Sequence, residues 1–183
     1  NQFSSTIPTE IFSLPLVQIL YLQFNALTGT IPRQVGDLTS LRRLGLANNS
    51  LTGTIPPEVG SLVNIQNLYL FQNNLTGPLP PELFSLANAE LIILFDNSLS
   101  GPIPSEIGQL TALMHLHLGL NSLTGTIPGE LGDLESLIAV DFFRNSMEGA
   151  IPKEISRLQN LRWFYCRDNS LSGAIPSEIG RLA

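Results

Sequence analysis

Residues 41–64 read LRRLGLANNSLTGTIPPEVGSLVN, and the fold is decided in this stretch. Leu44 and Leu46 alternate with Gly45 and Ala47, the period-2 signature of a strand buried on one face. Asn49 stands where that strand turns, and an amide there can donate to and accept from backbone groups of adjacent coils. Leu51, Gly53 and Ile55 alternate with Thr52 and Thr54, which predicts a second short extended segment on the flank. Pro56 has no N–H and ends the pairing. A turn of helix is expected next, started near Pro56 and closed by Gly60.

Outward from this unit, the same residues return every 24 positions. Asparagine stands at Asn1, Asn25, Asn49, Asn73, Asn97, Asn121, Asn145 and Asn169, and proline keeps the same interval from Pro8 to Pro176. A fixed period in the twenties means a solenoid, whose units bury their apolar faces only against one another. We read residues 1–183 as one domain. A partial repeat occupies 1–16, and repeats follow at 17–40, 41–64, 65–88, 89–112, 113–136, 137–160 and 161–183. The expected architecture is an α/β solenoid with a parallel concave β-sheet, short flank strands and short helical or 3-10 turns on the convex side. At about 4.8 Å per stacked strand, seven repeats advance roughly 35 Å.

Composition narrows the function classes. Hydrophobic residues make up 43% and charged residues 13%, which suits a continuous narrow core and opposes disorder. The net charge of −6 arises largely from the framework: seven of the fifteen acids (Glu10, Glu58, Glu82, Glu106, Glu130, Glu154, Glu178) sit two residues after the ladder proline. There a first-turn carboxylate is favoured by the helix dipole. An acidic chain with no basic stripe disfavours nucleic acid. The longest apolar run, Leu91–Phe95, is far too short to span a membrane, so no membrane contact is expected within this segment. No glycine-rich phosphate loop and no converging Ser, His and acid set appears, so neither catalysis nor a cofactor is expected.

L-x-x-L-x-L-x-x-N-x-L is the leucine-rich repeat, and the continuation L-T-G-x-I-P-x-E-[LIV]-G-x-L resembles its plant-specific class along essentially the whole chain. That resemblance implies a right-handed superhelix. It also implies kinship with ectodomains of plant receptor-like kinases, receptor-like proteins and polygalacturonase inhibitors, in which the concave sheet binds peptides, proteins or small hormones. A peptide or protein partner and an extracellular or cell-surface location follow as expectations. Members of the class close each end with a cysteine-paired cap. This chain has one cysteine, Cys166, at an inward leucine position, where it reads as a small buried hydrophobe. The chain is therefore expected to be a portion of a longer solenoid, with apolar edges bare at Leu161, Phe164, Leu171, Ile175 and Ile179.

In each strand segment the second, third, fifth, seventh and eighth positions point out of the concave face or flank it. Eight of the thirteen aromatics fall on them: Tyr21, Phe24, Tyr69, Phe71, Phe95, Phe143, Trp163 and Tyr165. The framework needs none of them there, because inward leucines supply the core. Aromatics also favour strands and stack across rungs, yet as a group they form the kind of apolar patch that marks a partner surface. Tyr, Trp and Arg are the usual binding anchors, so Arg43, Arg144 and Arg167 join the set, and Arg144 is expected to pair with Asp168.

His115 and His117 project from one strand, with Asp141 beside His117 one rung on. These are zinc-ligand types, and they equally suit a pH-tuned contact. An exposed His-x-His is usually incidental and no metal is assigned, but His115, His117 and Asp141 join the concave-face ligand-binding candidates. Sequons at Asn48–Ser50 and Asn74–Thr76 are candidate glycosylation sites. The pairs Thr28/Thr30, Thr52/Thr54 and Thr124/Thr126 are expected to face outward in register, which would suit an ice-binding face. The rows are interrupted at Pro78, Pro102, Ala150 and Ala174. A third possibility is that these repeats are structural spacers of a larger receptor.

Overall fold

The computed structural model describes residues 2–181, so Asn1 of the ladder lies outside the described residues. Seven parallel strands, in chain order, make the concave sheet: Ile19–Tyr21, Arg43–Gly45, Asn67–Tyr69, Leu91–Ile93, His115–His117, Ala139–Asp141 and Trp163–Tyr165. Their inward residues align as Leu20, Leu44, Leu68, Ile92, Leu116, Val140 and Phe164, one per rung. Flank pairing is less continuous. Thr52–Gly53, Asn74–Gly77, Ser98–Pro102 and Ser122–Thr124 form a four-stranded sheet, with separate two-stranded pairs at each end. One isolated bridge, Thr30 to Thr52, links the first pair to the four.

The turn chemistry of each coil follows from its proline. Pro32, Pro56 and Pro80 hold φ between −65° and −69°, and their carbonyls accept the N–H three residues on, from Val35, Val59 and Leu83, at 2.9–3.0 Å. The convex elements are accordingly single 3-10 turns, such as Pro57–Ser61, rather than turns of α-helix. Gly60 lies inside its turn instead of closing it. Its role is clearance: a Cβ there would run into the backbone oxygen of Glu82 in the next coil. The glycine that needs a left-handed backbone is Gly53 on the flank, at φ +74°.

The ladder asparagines hold the inner turn as their chemistry suggests. Asn73 is the buried polar residue of the core. Its Oδ1 accepts the Leu51 N–H at 3.0 Å, and its Nδ2 donates to the Leu70 and Leu46 carbonyls at 3.1 Å each. Asn49, Asn97 and Asn121 repeat that set, so each amide ties its own coil to the one before. Asn145 and Asn169 do likewise, and Asn25 accepts from Phe3 N–H while donating to Leu22.

One continuous core runs the length of the stack, from Ile7 to Leu158. Beyond it the burial fades: Leu161, Phe164, Leu171 and Ile179 are half-buried and Ile175 is 71% exposed. Cys166 shares that fate. It is half-buried rather than enclosed, because its coil has a neighbour on one side only among the described residues. Burial still pushes its thiol above the ordinary range, which disfavours the thiolate.

Candidate functional site on the concave face

The sheet register converts the 24-residue period into columns of side chains. One column runs Ile19, Arg43, Asn67, Leu91, His115, Ala139, Trp163, and the next runs Tyr21, Gly45, Tyr69, Ile93, His117, Asp141, Tyr165. Tyr21, Trp163 and Tyr165 are 45–48% exposed and Phe24 is 60% exposed, although each is large and apolar. Tyr69, Phe71, Phe95, His115, His117, Asp141 and Phe143 are half-buried, whereas Arg43, Arg144 and Arg167 are exposed. All of these anticipated residues lie on or beside one sheet. They do not converge on a single pocket.

Toward the N-terminal end the groups are aromatic. Phe71 and Phe95 stack with ring centroids 5.1 Å apart and planes 11° from parallel. Tyr21 and Tyr69 meet edge to face at 6.5 Å although a whole strand lies between them. They can do so because that strand carries Gly45, and a Cβ at Gly45 would sit 2.8 Å from Tyr21 Cδ1. Tyr21, Gln23, Phe24, Ala47, Tyr69 and Phe71 line a half-open cavity of about 280 Å³. Burial, followed by the neighbouring Tyr21, raises the Tyr69 phenol, so it stays neutral. The contribution of Gly45 and Ala47 was hidden in the sequence, since a small residue acquires meaning only from the large ones beside it.

Toward the C-terminal end the groups are cationic and aromatic together. The Arg167 guanidinium lies 4.2 Å from the Phe143 ring centroid and that of Arg144 lies 5.0 Å from it. Arg144 also pairs with Asp168 at 3.5 Å, as expected, with both side chains more than half exposed. Phe143 thus orients two guanidinium groups, one of which is partly neutralised.

Between the two ends lie the histidines, with rings 6.3 Å apart and nearly parallel. Burial pushes His117 below the ordinary imidazole range, against the upward pull of Asp141 and with a smaller downward push from His115. The Asp141 carboxylate turns along its own strand, where Oδ1 accepts the Phe143 N–H at 2.8 Å. It lies over Gly119. Among the described residues no group of three or more His, Cys, Asp or Glu is placed to hold a metal ion.

The eighth position of every repeat has a property that the sequence did not disclose. Phe24, Asn48, Gln72, Asp96, Leu120, Arg144 and Asp168 all have φ between +49° and +59°. Asn and Asp tolerate this conformation; Phe, Leu and Arg adopt it at a cost. Of the two sequons, Asn48 donates its amide to Gln72 Oε1 at 2.7 Å, and Asn74 is exposed at the start of a flank strand.

Leucine-rich-repeat family models match residues 15–75, 112–134 and 160–182. The chain belongs to the leucine-rich-repeat family. A search of curated proteins found no match. Among solved structures, the plant peptide hormone receptor RGFR1 in complex with RGF2 is 37% identical, with a TM-score of 0.96 over 98% of this chain and 29% of that one. A TDR receptor is 36% identical, with a TM-score of 0.98 over 100% of this chain and 32% of that one. A plant ice-binding protein is 28% identical, with a TM-score of 0.75 over 95% of this chain and 63% of that one. This leucine-rich-repeat chain therefore spans about a third of the length of the two receptors it matches. No helix among its described residues is long and apolar enough to cross a membrane.

Proposed function

We propose that the chain is a non-catalytic recognition segment of an extracellular, receptor-type ectodomain, and that it lays a peptide or protein along its concave sheet. The observation that carries this reading is the gathering of aromatic side chains on that one surface, exposed on its first and last rungs and half-buried between them. Tyr21, Phe24, Trp163 and Tyr165 project from it, and the Phe71–Phe95 stack lies between. An uncovered apolar face of this kind is a partner surface, and aromatic and arginine side chains spread over several rungs are its natural anchors. The similarity to a peptide hormone receptor supports the ligand class.

The threonine rows support ice binding less well, because they already serve the framework. Thr52 Oγ1 donates to the Gly29 carbonyl at 3.2 Å, and the Thr30 and Thr54 methyls lie against Gly53 and Gly77 of the following coils. With the rows also interrupted, we expect no thermal hysteresis in a freezing assay.

The test is to replace Phe71, Phe95 and Trp163 together by Ala and measure binding of secreted peptides. A loss of more than ~2 kcal/mol in affinity is expected. Affinity unchanged in the folded triple variant would transfer recognition elsewhere and leave these repeats as spacers.

A further inference from the structure

The cavity at the aromatic end has a composition that selects an occupant. Four of its six lining residues are aromatic, and Gln23 and Ala47 complete it. Gly45 on the middle strand lets the two tyrosines of its wall meet across it. None of its six lining residues is acidic, and the Arg43 charge is felt at Tyr69, which opposes the attraction that aromatic rings offer a cation. The wall also carries one unmet demand. Gln23 Oε1 is buried against Gly45 and has no hydrogen-bond partner, and an unpartnered buried acceptor is costly. The terminal torsion of Gln is soft, so a small rotation turns this oxygen toward a donor in the cavity.

We propose, on the reading that the concave sheet binds a peptide, that this cavity is its specificity pocket for a tryptophan side chain. A neutral ring matches the aromatic walls. Proline and phenylalanine side chains have no donor for Gln23. Tyrosine brings one, together with lone pairs that the apolar walls leave unmatched. Indole is a donor only, and its N–H meets the oxygen that lacks a partner.

The experiment pans a random dodecapeptide phage library on the immobilised chain and measures the selected peptides by calorimetry. Wild type, Gly45→Val, Gln23→Leu and the Phe71/Phe95/Trp163→Ala triple variant are compared. A Cβ at Gly45 would run into Gln23 Oε1 and the Tyr21 ring, so the valine displaces two residues that line the pocket; circular dichroism verifies the fold. Selected peptides should be enriched in tryptophan and should lose about tenfold or more in affinity for Gly45→Val. Replacing their tryptophan by 1-methyltryptophan should weaken binding several-fold to wild type and leave binding to Gln23→Leu unchanged. Peptides that lack tryptophan, or that bind folded Gly45→Val within about twofold of wild type, overturn the pocket. If those peptides still fail on the triple variant, the concave-face reading survives without it; if wild type retains no peptide, both fall.

Discussion

The inner turn and the concave sheet are built from adjacent residues of the same coils, yet they obey opposite rules. On the turn, one side chain recurs without variation, is half-buried or buried, and has its amide hydrogen-bonded to neighbouring backbone. On the sheet, the column one residue beyond the core runs from tyrosine through glycine, isoleucine and histidine to aspartate. The turn is constant because a lost amide strands several backbone groups in an apolar interior. The sheet is free to vary because its backbone is already paired and its side chains face outward. What repeats is scaffold, and what departs from the repeat is available for recognition.

The strongest way to break this comparison is Asn73→Ala. It removes the acceptor for Leu51 and the donor to Leu46 and Leu70, so a loss of roughly 3 kcal/mol in denaturant stability is expected. Hydrogen exchange should rise first at the Leu51 N–H, which loses its acceptor. The Phe71/Phe95/Trp163→Ala variant is its mirror image. We expect it to fall mainly in affinity and to lose only about 1 kcal/mol of stability from the broken ring stack. A stability loss matching that of Asn73→Ala would show that the aromatics are scaffold after all.

Smaller effects sharpen the contrast. Leu120→Asn relieves a left-handed backbone at φ +53° and should stabilise by up to ~1 kcal/mol, read as a higher melting temperature. His117 gives a pH dependence whose sign is fixed by burial. Its folded imidazole binds a proton less readily than the unfolded one. Its contribution is therefore fully present above about pH 6.5 and is lost as pH falls through that value toward the lower folded pKa. Urea titrations at successive pH values should show this loss in wild type and a shallower one in His117→Asn. Asp168→Ala should matter least, by a few tenths of a kcal/mol and only at low salt, since the Arg144 pair is exposed.

The coil plan was legible because it is enforced by chemistry repeated in the sequence: a proline that presets φ, an amide that both donates and accepts, and leucines at period 2. Membership of the concave face was legible for the same reason, as register follows from the period. Three features were not. Gly60 lies inside its turn and serves clearance because the next coil packs against it, a distance no single repeat reveals. The left-handed column was masked by residues as unsuited to it as Leu120 and Phe24. The cavity depends on Tyr21 and Tyr69 leaning across Gly45 from both sides, and such cooperation over two rungs has no signature in either strand alone.

The asparagine bonds also make the solenoid measure its own spacing. From Asn49 onward each amide reaches a donor 22 positions earlier and an acceptor 27 positions earlier. Gene duplication or deletion of one whole unit would restore every such bond at the junction, whereas a change of length by any other amount would leave a mismatched seam. Growth and shrinkage by complete units is thus the inexpensive path for lengthening the array, and the recognition surface changes in steps of one rung.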